Sequence, residues 1–246
     1  MICHYILIIS ANQLITLNAG FQTIVHQVLQ TTTTIKFTVH GNPQLVPGQT
    51  GKAVHITNSS QYLIVDKNGF TSCLSDIDHC TGGFTITTNV KFSTLTDNTY
   101  IISSGGNLPN TKGIALYYQG GKIHFVVSTS SQTWHLTIPH TFTLNVWHHI
   151  ELSWQKNLGS ELIDNGKLVG SVTQPVNQHA TIVKQIAIGH GYTQSTTHIS
   201  MKVEGLKIVD ANRVSLAVAG IYTGKTIHVH GQIMFTLLVI YITLNL

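Results

Sequence analysis

The chain has 246 residues, of which only 9% are charged, with 13 basic and 9 acidic side chains and a formal net charge of +4. This length is enough for one domain with a full hydrophobic core. The basic residues are scattered singly, with no Lys/Arg run. The chain therefore lacks the clustered positive charge that is typical of nucleic-acid-binding proteins. Thr, Ser, Gly, Asn and Gln fill the polar positions, so we expect a nearly neutral, hydroxyl-rich surface.

The two ends of the chain are unusually apolar. Residues 1–35 contain no Asp, Glu, Lys or Arg, so a signal segment is conceivable, although the usual basic start and small-residue cleavage site are missing. The tail, 233–246, is apolar except for two Thr and one Asn, but it is shorter than the ~20 residues that a membrane-spanning helix needs. Membrane association through this tail stays open. The alternative is that one or both ends are imperfect gene boundaries that the folded domain does not need.

Prolines and glycines between 41 and 51, among them Pro43 and Pro47, mark an irregular lead-in. The sequence therefore predicts three parts: a lead-in over 1–44, a domain over 45–213 and a C-terminal extension over 214–246.

Within the predicted domain, apolar side chains recur at every second position. The clearest face is Phe84, Ile86, Val90 and Phe92, and the alternation returns over 114–118, 123–127, 134–138 and 147–154. This period predicts half-buried β-strands. Gly120-Gly121 and Asn165-Gly166 separate such runs and are typical of two-residue hairpin turns with positive φ.

Near the end of this pattern the alternation changes phase. Met201 and Val203 share one phase, Leu206 and Ile208 share the other, and Gly205 lies between them. One extra residue turns every later side chain over, so Gly205 predicts a β-bulge or a bend. No segment before residue 210 has helical periodicity. Roughly a dozen short strands with turns between them predict an all-β fold, a two-sheet antiparallel β-sandwich.

Cys73 and Cys80 bracket a six-residue loop. Their spacing favours a disulfide in an oxidising compartment, whereas in the cytosol such thiols stay free or bind metal. Asn58-Ser59-Ser60 is a glycosylation acceptor sequence on a polar stretch, which also favours the secretory route. We therefore expect a protein that is secreted or lies on the outer face of the cell.

Three stretches resemble the laminin G-like and pentraxin-like jelly rolls of the concanavalin A-like lectin and glucanase superfamily. They are the opening 49–54 with Gln61-Tyr62, the segment from Cys73 to Ile86, and, most specifically, Trp147-His148-His149-Ile150 with Ser153-Trp154 and Asp164-Asn165-Gly166-Lys167. Gly205-Leu206-Lys207-Ile208 resembles the closing strand, so the likeness covers about 45–210. It implies a jelly roll and an extracellular recognition domain that binds glycans, matrix proteins or a neighbouring module.

Some members of that superfamily bind calcium at the rim of the sandwich, and calcium prefers six to eight oxygen ligands. Asp76 and Asp78, two positions apart, are the only weak candidates, and two solvated loop acids are the favoured interpretation because no third carboxylate lies nearby in sequence. The histidines are expected to be structural or exposed, since no spacing in the recognised region gathers three or four zinc ligands. We therefore predict no metal and no cofactor.

The superfamily that this chain resembles also contains glycosidases, so a hydrolase is an alternative function. Retaining hydrolysis needs two carboxyl groups ~5–5.5 Å apart, and the laminarinase-type members resemble each other through Glu-x-Asp-x-x-Glu, which this chain lacks. Glu161 and Asp164 fall on opposite faces of a regular strand, and Glu151 has no acid two residues away. The sequence therefore predicts a protein that is not an enzyme.

Aromatic side chains could instead bind a sugar, because the apolar face of a sugar packs on exposed rings. Trp134 and Trp154 lie in alternating runs and are expected in the core, while Tyr117 lies opposite Leu116 and is the predicted exposed ring. The favoured function is a noncatalytic extracellular module that binds a glycan or an extracellular protein. A glycan-processing enzyme and a purely structural spacer are the alternatives.

Overall fold

A computed structural model describes residues 16–19, 21–25, 28–31, 37–65, 72–139, 141–192 and 199–211. Within these described ranges, one helical turn, α1 (Ser72–Ser75), and a 3₁₀ turn (Ile77–His79) lie among nineteen strands. In chain order the strands are β1 (Thr16–Ala19), β2 (Phe21–Val25), β3 (Val28–Thr31), β4 (Phe37–His40), β5 (Gln44–Pro47), β6 (Lys52–Ile56), β7 (Tyr62–Val65), β8 (Phe84–Thr94), β9 (Thr99–Ser103), β10 (Thr111–Gln119), β11 (Lys122–Ser128), β12 (Gln132–Ile138), β13 (Trp147–Gln155), β14 (Gly159–Asp164), β15 (Lys167–Val172), β16 (Val176–Asn177), β17 (Ile182–Val183), β18 (Ala187–Ile188) and β19 (Ser200–Val209).

The strands form two antiparallel sheets packed as a sandwich, as a jelly roll requires. The first sheet has the order β4-β7-β18-β9-β10-β11-β12-β16. The second has the order β5-β6-β19-β8-β13-β14-β15. The hairpin β2–β3 links the two sheets, because β2 pairs with β6 of the second sheet and β3 pairs with β4 at the edge of the first. The predicted all-β sandwich is confirmed.

The core lies between the two inner faces and is built from the alternating side chains. Trp134 of the first sheet meets Trp154 of the second edge-on, with ring centroids 5.3 Å apart, and both side chains are fully buried. Phe84 packs on Trp154 at 5.7 Å. Edge-to-face rings at this separation are favourable beyond the burial of their area. The two tryptophans are thus core residues, as their alternating runs predicted.

The predicted turns are also present. Asn165 and Gly166 have φ of 50° and 79° and close the β14–β15 hairpin, where Asp164 pairs with Lys167. The pairing of β19 with β8 shifts register between Glu204 and Leu206, which puts the predicted bulge at Gly205 with φ of 59°. Residues before and after the bulge therefore both reach the core.

The N-terminal boundary of the predicted domain needs correction. Phe37 and Val39 of β4 lie in the core, and β4 pairs with β7, so the sandwich includes residues before the expected onset at 45. Sequence patterning missed this strand because it is short and a Thr run precedes it. Most of the predicted signal segment lies outside the described residues. The predicted C-terminal extension, residues 214–246, lies entirely outside them. Within the described part of the chain, no helix is long and apolar enough to cross a membrane.

Candidate functional site

The outer face of the first sheet carries a row of aromatic and imidazole rings, which we call the ring row. It runs across successive strands and consists of His40 (β4), Tyr62 (β7), His190 and Tyr192 (the segment after β18), Tyr100 (β9), Tyr117 (β10), His124 (β11) and His135 (β12). Side chains at paired positions of neighbouring strands lie close together on one face, so strand pairing aligns those rings of the row that lie on strands.

The first half of the row is a stack of rings that keep some exposure to solvent. The centroid of Tyr62 lies 4.3 Å from that of His40 and 4.4 Å from that of His190, with interplanar angles of 10° and 19°. Tyr192 meets His190 edge-on at 5.0 Å. The phenol of Tyr192 donates to the carbonyl oxygen of Gln185 at 2.7 Å, which fixes that ring.

The second half continues from the buried centre of the sheet to its exposed side. Tyr100 and Tyr117 stack at 5.0 Å, Tyr117 and His124 at 4.8 Å, and His124 lies 5.3 Å from His135. Gly191 joins the two halves because it lies against the ring of Tyr100, where any larger residue would collide with that ring. The two halves of the ring row therefore meet at Gly191.

Tyr117 is not the exposed ring that the sequence predicted. It does lie on the face opposite Leu116, but neighbouring rings cover both of its faces, and the residue is only 6% exposed. The alternation rule identified the face correctly, whereas exposure depended on residues brought in by strand pairing. The partly exposed rings are instead at the two ends of the row, at His40, Tyr62 and His190 and at His124 and His135.

Every member of the ring row carries a hydrogen-bonding group, because imidazole nitrogens and phenol oxygens both donate and accept. Burial, with a smaller contribution from Tyr100, raises the pKa of Tyr117 to about 12, and burial with Tyr62 does the same for Tyr192. Burial and the nearby His40 lower the pKa of His190. These phenols and this imidazole are therefore neutral at pH 7. These three groups can take part in hydrogen bonds without carrying charge.

Asp76 and Asp78, the two weak calcium candidates, do lie close together, but both form ion pairs with a lysine. Lys112 Nζ lies 2.6 Å from Asp76 Oδ2 and 2.9 Å from Asp78 Oδ2. Burial lowers the pKa of Lys112, but the hydrogen bonds and charges of the two carboxylates outweigh this effect and raise it. Burial raises the pKa of Asp78, but the backbone N–H of Ser130 and the ammonium of Lys112 outweigh this effect. The net result is a lowered pKa. The ammonium thus stands where a calcium ion would have to lie.

The Trp-His-His stretch is structural. His148 is buried, and its Nδ1–H donates to the carboxylate of Asp164 at 2.9 Å, while Nε2 lies 3.1 Å from the carbonyl oxygen of Thr143. His149 points the other way, and its backbone N–H donates to Asn165 Oδ1 at 2.9 Å. The most specific motif of the sequence therefore ties β13 to the β14–β15 turn and contributes nothing to the ring row.

The opening motif has a partner that sequence reasoning missed. The carboxylate of Glu204 accepts the backbone N–H of Gln49 at 2.6 Å, the backbone N–H of Thr50 at 2.8 Å and the Thr50 hydroxyl at 2.7 Å. Burial raises the pKa of Glu204, but these donors outweigh burial and lower it. More than 150 residues separate the partners, so no local spacing reveals the contact.

Cys73 and Cys80 form the predicted disulfide, which leaves no thiol of this pair for a metal. Asn58 is partly exposed in the turn between β6 and β7, where its Oδ1 accepts the hydroxyl of Ser60 at 2.6 Å. Glu161 and Asp164 point to opposite faces of β14, as expected, because Asp164 pairs inward with His148. Glu151 is 3% exposed on the outer face of the second sheet.

A family model described as the concanavalin A-like lectin/glucanases superfamily, of the laminin G type, matches residues 66–215. This match covers more than half of the chain. The chain belongs to this family. The resemblance inferred from the Trp-His-His and Asn-Gly motifs is therefore confirmed. No curated protein is similar enough to this sequence to count as a match.

Solved structures share the fold at low sequence identity. The botulinum neurotoxin serotype D binding domain is 17% identical, with a TM-score of 0.59 over 80% of this chain and 48% of its own. The binding domain of Paraclostridial Mosquitocidal Protein 1 is 14% identical, with a TM-score of 0.59 over 79% and 48%. The binding domain of botulinum neurotoxin DC in complex with SialylT is 13% identical, with a TM-score of 0.57 over 83% and 51%. The chain spans about half the length of these proteins.

Proposed function

We propose that this protein is a noncatalytic recognition domain that binds a glycan on the outer face of its first sheet. The observation that carries the proposal is the ring row, two sets of stacked imidazole and phenol groups on one face of the first sheet. Partly exposed members at its ends, Tyr62 and His190 at one and His124 at the other, are the expected contacts.

The chemistry of the row suits a polyhydroxylated ligand. Sugar hydroxyls both donate and accept hydrogen bonds, and neutral imidazole and phenol groups do the same. The phenol of Tyr192 and the imidazole of His190 are neutral at pH 7, so no desolvated charge has to be matched by the ligand. Rings that already pack on one another are also fixed before the ligand arrives, which lowers the entropy cost of binding.

The family and the structurally similar proteins support a glycan as the class of ligand. The family's description includes lectins, and one structure with the same fold is a toxin binding domain in complex with SialylT. Fold similarity at such low identity does not carry a ligand from one protein to another. The proposed site therefore rests on the ring row of this chain.

The proposed location is outside the cell or on its outer face. The disulfide between Cys73 and Cys80 fits an oxidising compartment. Asn58 lies in a partly exposed turn with its acceptor Ser60 beside it, which suits glycan attachment. Mass spectrometry of the native protein tests both features, because an attached glycan adds mass at Asn58 and the disulfide links two peptides.

The test is binding of the full chain to a glycan array, first in chelator and then with calcium added. We expect a defined set of glycans to bind without calcium, because Lys112 holds the acidic pair that could have bound the ion. Changing Tyr62→Ala or His190→Ala should weaken binding about tenfold or more, since each removes hydrogen-bonding groups from a preformed surface.

His79→Ala is the matched control, because His79 is an exposed imidazole on the 3₁₀ turn, away from the ring row. It should bind like the unchanged protein. Loss of binding in the His79 variant to the same degree, or full binding by both row variants, would contradict the proposed site. Absence of binding to every glycan would favour a spacer domain instead.

The alternative of a glycan-processing enzyme rests on Glu151 and Glu161, which lie on the outer face of paired strands of the second sheet. Glu151 is 3% exposed, so a polysaccharide has little access to it. We expect no release of reducing sugar from β-glucans. Hydrolysis that disappears in Glu151→Gln would overturn the noncatalytic assignment.

A further inference from the structure

The β11–β12 hairpin brings three donor atoms together at one end of the ring row. In the register of this hairpin His124 lies opposite Thr137, and Val126 lies opposite His135, so His124 and His135 are diagonal neighbours. His124 Nδ1 is 3.0 Å from His135 Nε2, and Thr137 Oγ1 is 3.3 Å from each of these nitrogens. The three atoms thus form a nearly equilateral triangle.

This triangle has the size of one face of a tetrahedral metal centre. Zinc binds imidazole nitrogen at about 2.0–2.1 Å, and tetrahedral geometry then separates neighbouring ligand atoms by roughly 3.3–3.4 Å. The observed separations of 3.0 Å and 3.3 Å differ from this by a few tenths of an ångström. A small opening of the two rings would admit the ion.

The ring of His124 is already held in the form that a metal needs. Its Nε2–H donates to the carbonyl oxygen of Gln119 at 3.1 Å, so Nδ1 carries the lone pair that points at His135 and Thr137. Stacking on Tyr117 at 4.8 Å and 10° restricts rotation of the ring. Metal-binding histidines usually have their second nitrogen fixed by a carbonyl or carboxylate in this way.

The second imidazole is accessible and ready to bind. His135 and Thr137 are exposed on β12, so an ion can reach the triangle directly from solvent. With no metal, His135 Nε2–H donates to His124 Nδ1; on binding, that proton leaves and Nδ1 of His135 takes one up from water.

We propose that His124, His135 and Thr137 form a binding site for a divalent transition-metal ion of the zinc class, with the remaining coordination position open to solvent. Imidazole ligands favour Zn²⁺, Cu²⁺ and Ni²⁺, whereas Ca²⁺ and Mg²⁺ prefer sets of oxygen ligands. The site depends on the geometry of one hairpin and not on the proposed glycan function.

The test is isothermal titration of the full chain with ZnCl₂, without glycan. We expect one equivalent to bind, and His124→Ala or His135→Ala to weaken that binding about tenfold or more. Ca²⁺ and Mg²⁺ should not compete. His179→Ala is the matched control, since His179 is an exposed imidazole on the segment before β17, and it should leave the affinity unchanged.

A second measurement keeps the result independent of folding. Far-UV circular dichroism of each variant reports the fold, and Co²⁺ in place of Zn²⁺ gives a visible spectrum that reports tetrahedral coordination and should vanish in His135→Gln. Equal zinc affinity in His124→Ala, His135→Ala and the unchanged protein would overturn the proposal. So would equal loss in His179→Ala. Because the titration contains no glycan, these failures are distinct from failure of glycan binding.

Discussion

Two polar clusters of this protein are built from different kinds of side chain. At one, Asp76 and Asp78 surround Lys112, so two negative charges already have their cation. At the other, His124 and His135 present nitrogen atoms 3.0 Å apart with no carboxylate in the triangle. The first cluster is satisfied internally and serves stability. The second cluster has donor atoms exposed at the surface, which is the condition for binding something from solution.

Sequence spacing alone does not show which polar residues of this protein lie together. Asp76 and Asp78 attract attention because they are two residues apart, yet a lysine more than 30 residues away occupies the position between them. His124 and His135 are eleven residues apart and suggest nothing in sequence. They meet because a hairpin register puts them on a diagonal.

Breaking the charged cluster should have the largest effect. Lys112→Met leaves two carboxylates without their cation, and we expect it to lower the free energy of unfolding by about 2 kcal/mol, less than for a fully buried pair because both acids retain contact with water. Chemical denaturation measures this change. Lys122→Met is the control, because Lys122 is exposed at the start of β11. Equal stability of the two variants would show that the ion pair contributes nothing.

Glu204 is a second charged group that the fold stabilises. Here backbone N–H and hydroxyl donors, rather than a cation, stabilise the carboxylate. Glu204→Gln should lower the free energy of unfolding by about 1–2 kcal/mol at pH 7. The folded pKa is lowered from 4.5, so the stabilisation is complete above pH 4.5 and is lost as the pH falls below it. Denaturation of both proteins at several pH values checks this. A difference that stays constant down to pH 3 would contradict the assignment.

The histidine cluster should respond least. His135→Ala, measured in chelator, should change the free energy of unfolding by no more than about 0.5 kcal/mol, because the side chain is exposed and carries no charge at pH 7. Thermal and chemical denaturation together test this. A loss as large as that of Lys112→Met would mean that His135 serves stability, and the contrast between the two clusters would fail.

Much of the fold follows from local sequence. Period-two alternation located Phe84 and Trp154 in the core, and Asn165-Gly166 and Gly205 marked a turn and a bulge, because each feature depends on a few adjacent residues. Features that depend on distant partners were missed. Tyr117 is buried by rings from two other strands, and Phe37 gains its place in the core by pairing with β7.

The candidate site was missed for the same reason. The ring row is assembled from eight separate residues between 40 and 192, one or two from each strand or segment, and only strand order brings them together. The surplus of 15 histidines was the one available signal in the composition. It did not indicate which of them share a face.

The most direct test of the central claim is nuclear magnetic resonance of histidine and tyrosine rings in the full chain, titrated with the glycan that binds most strongly on the array. We predict that ring signals of His40, Tyr62 and His190 shift in a saturable way, whereas those of His79 and His149 stay in place. Saturable shifts confined to His149, on the outer face of the second sheet, would contradict the account.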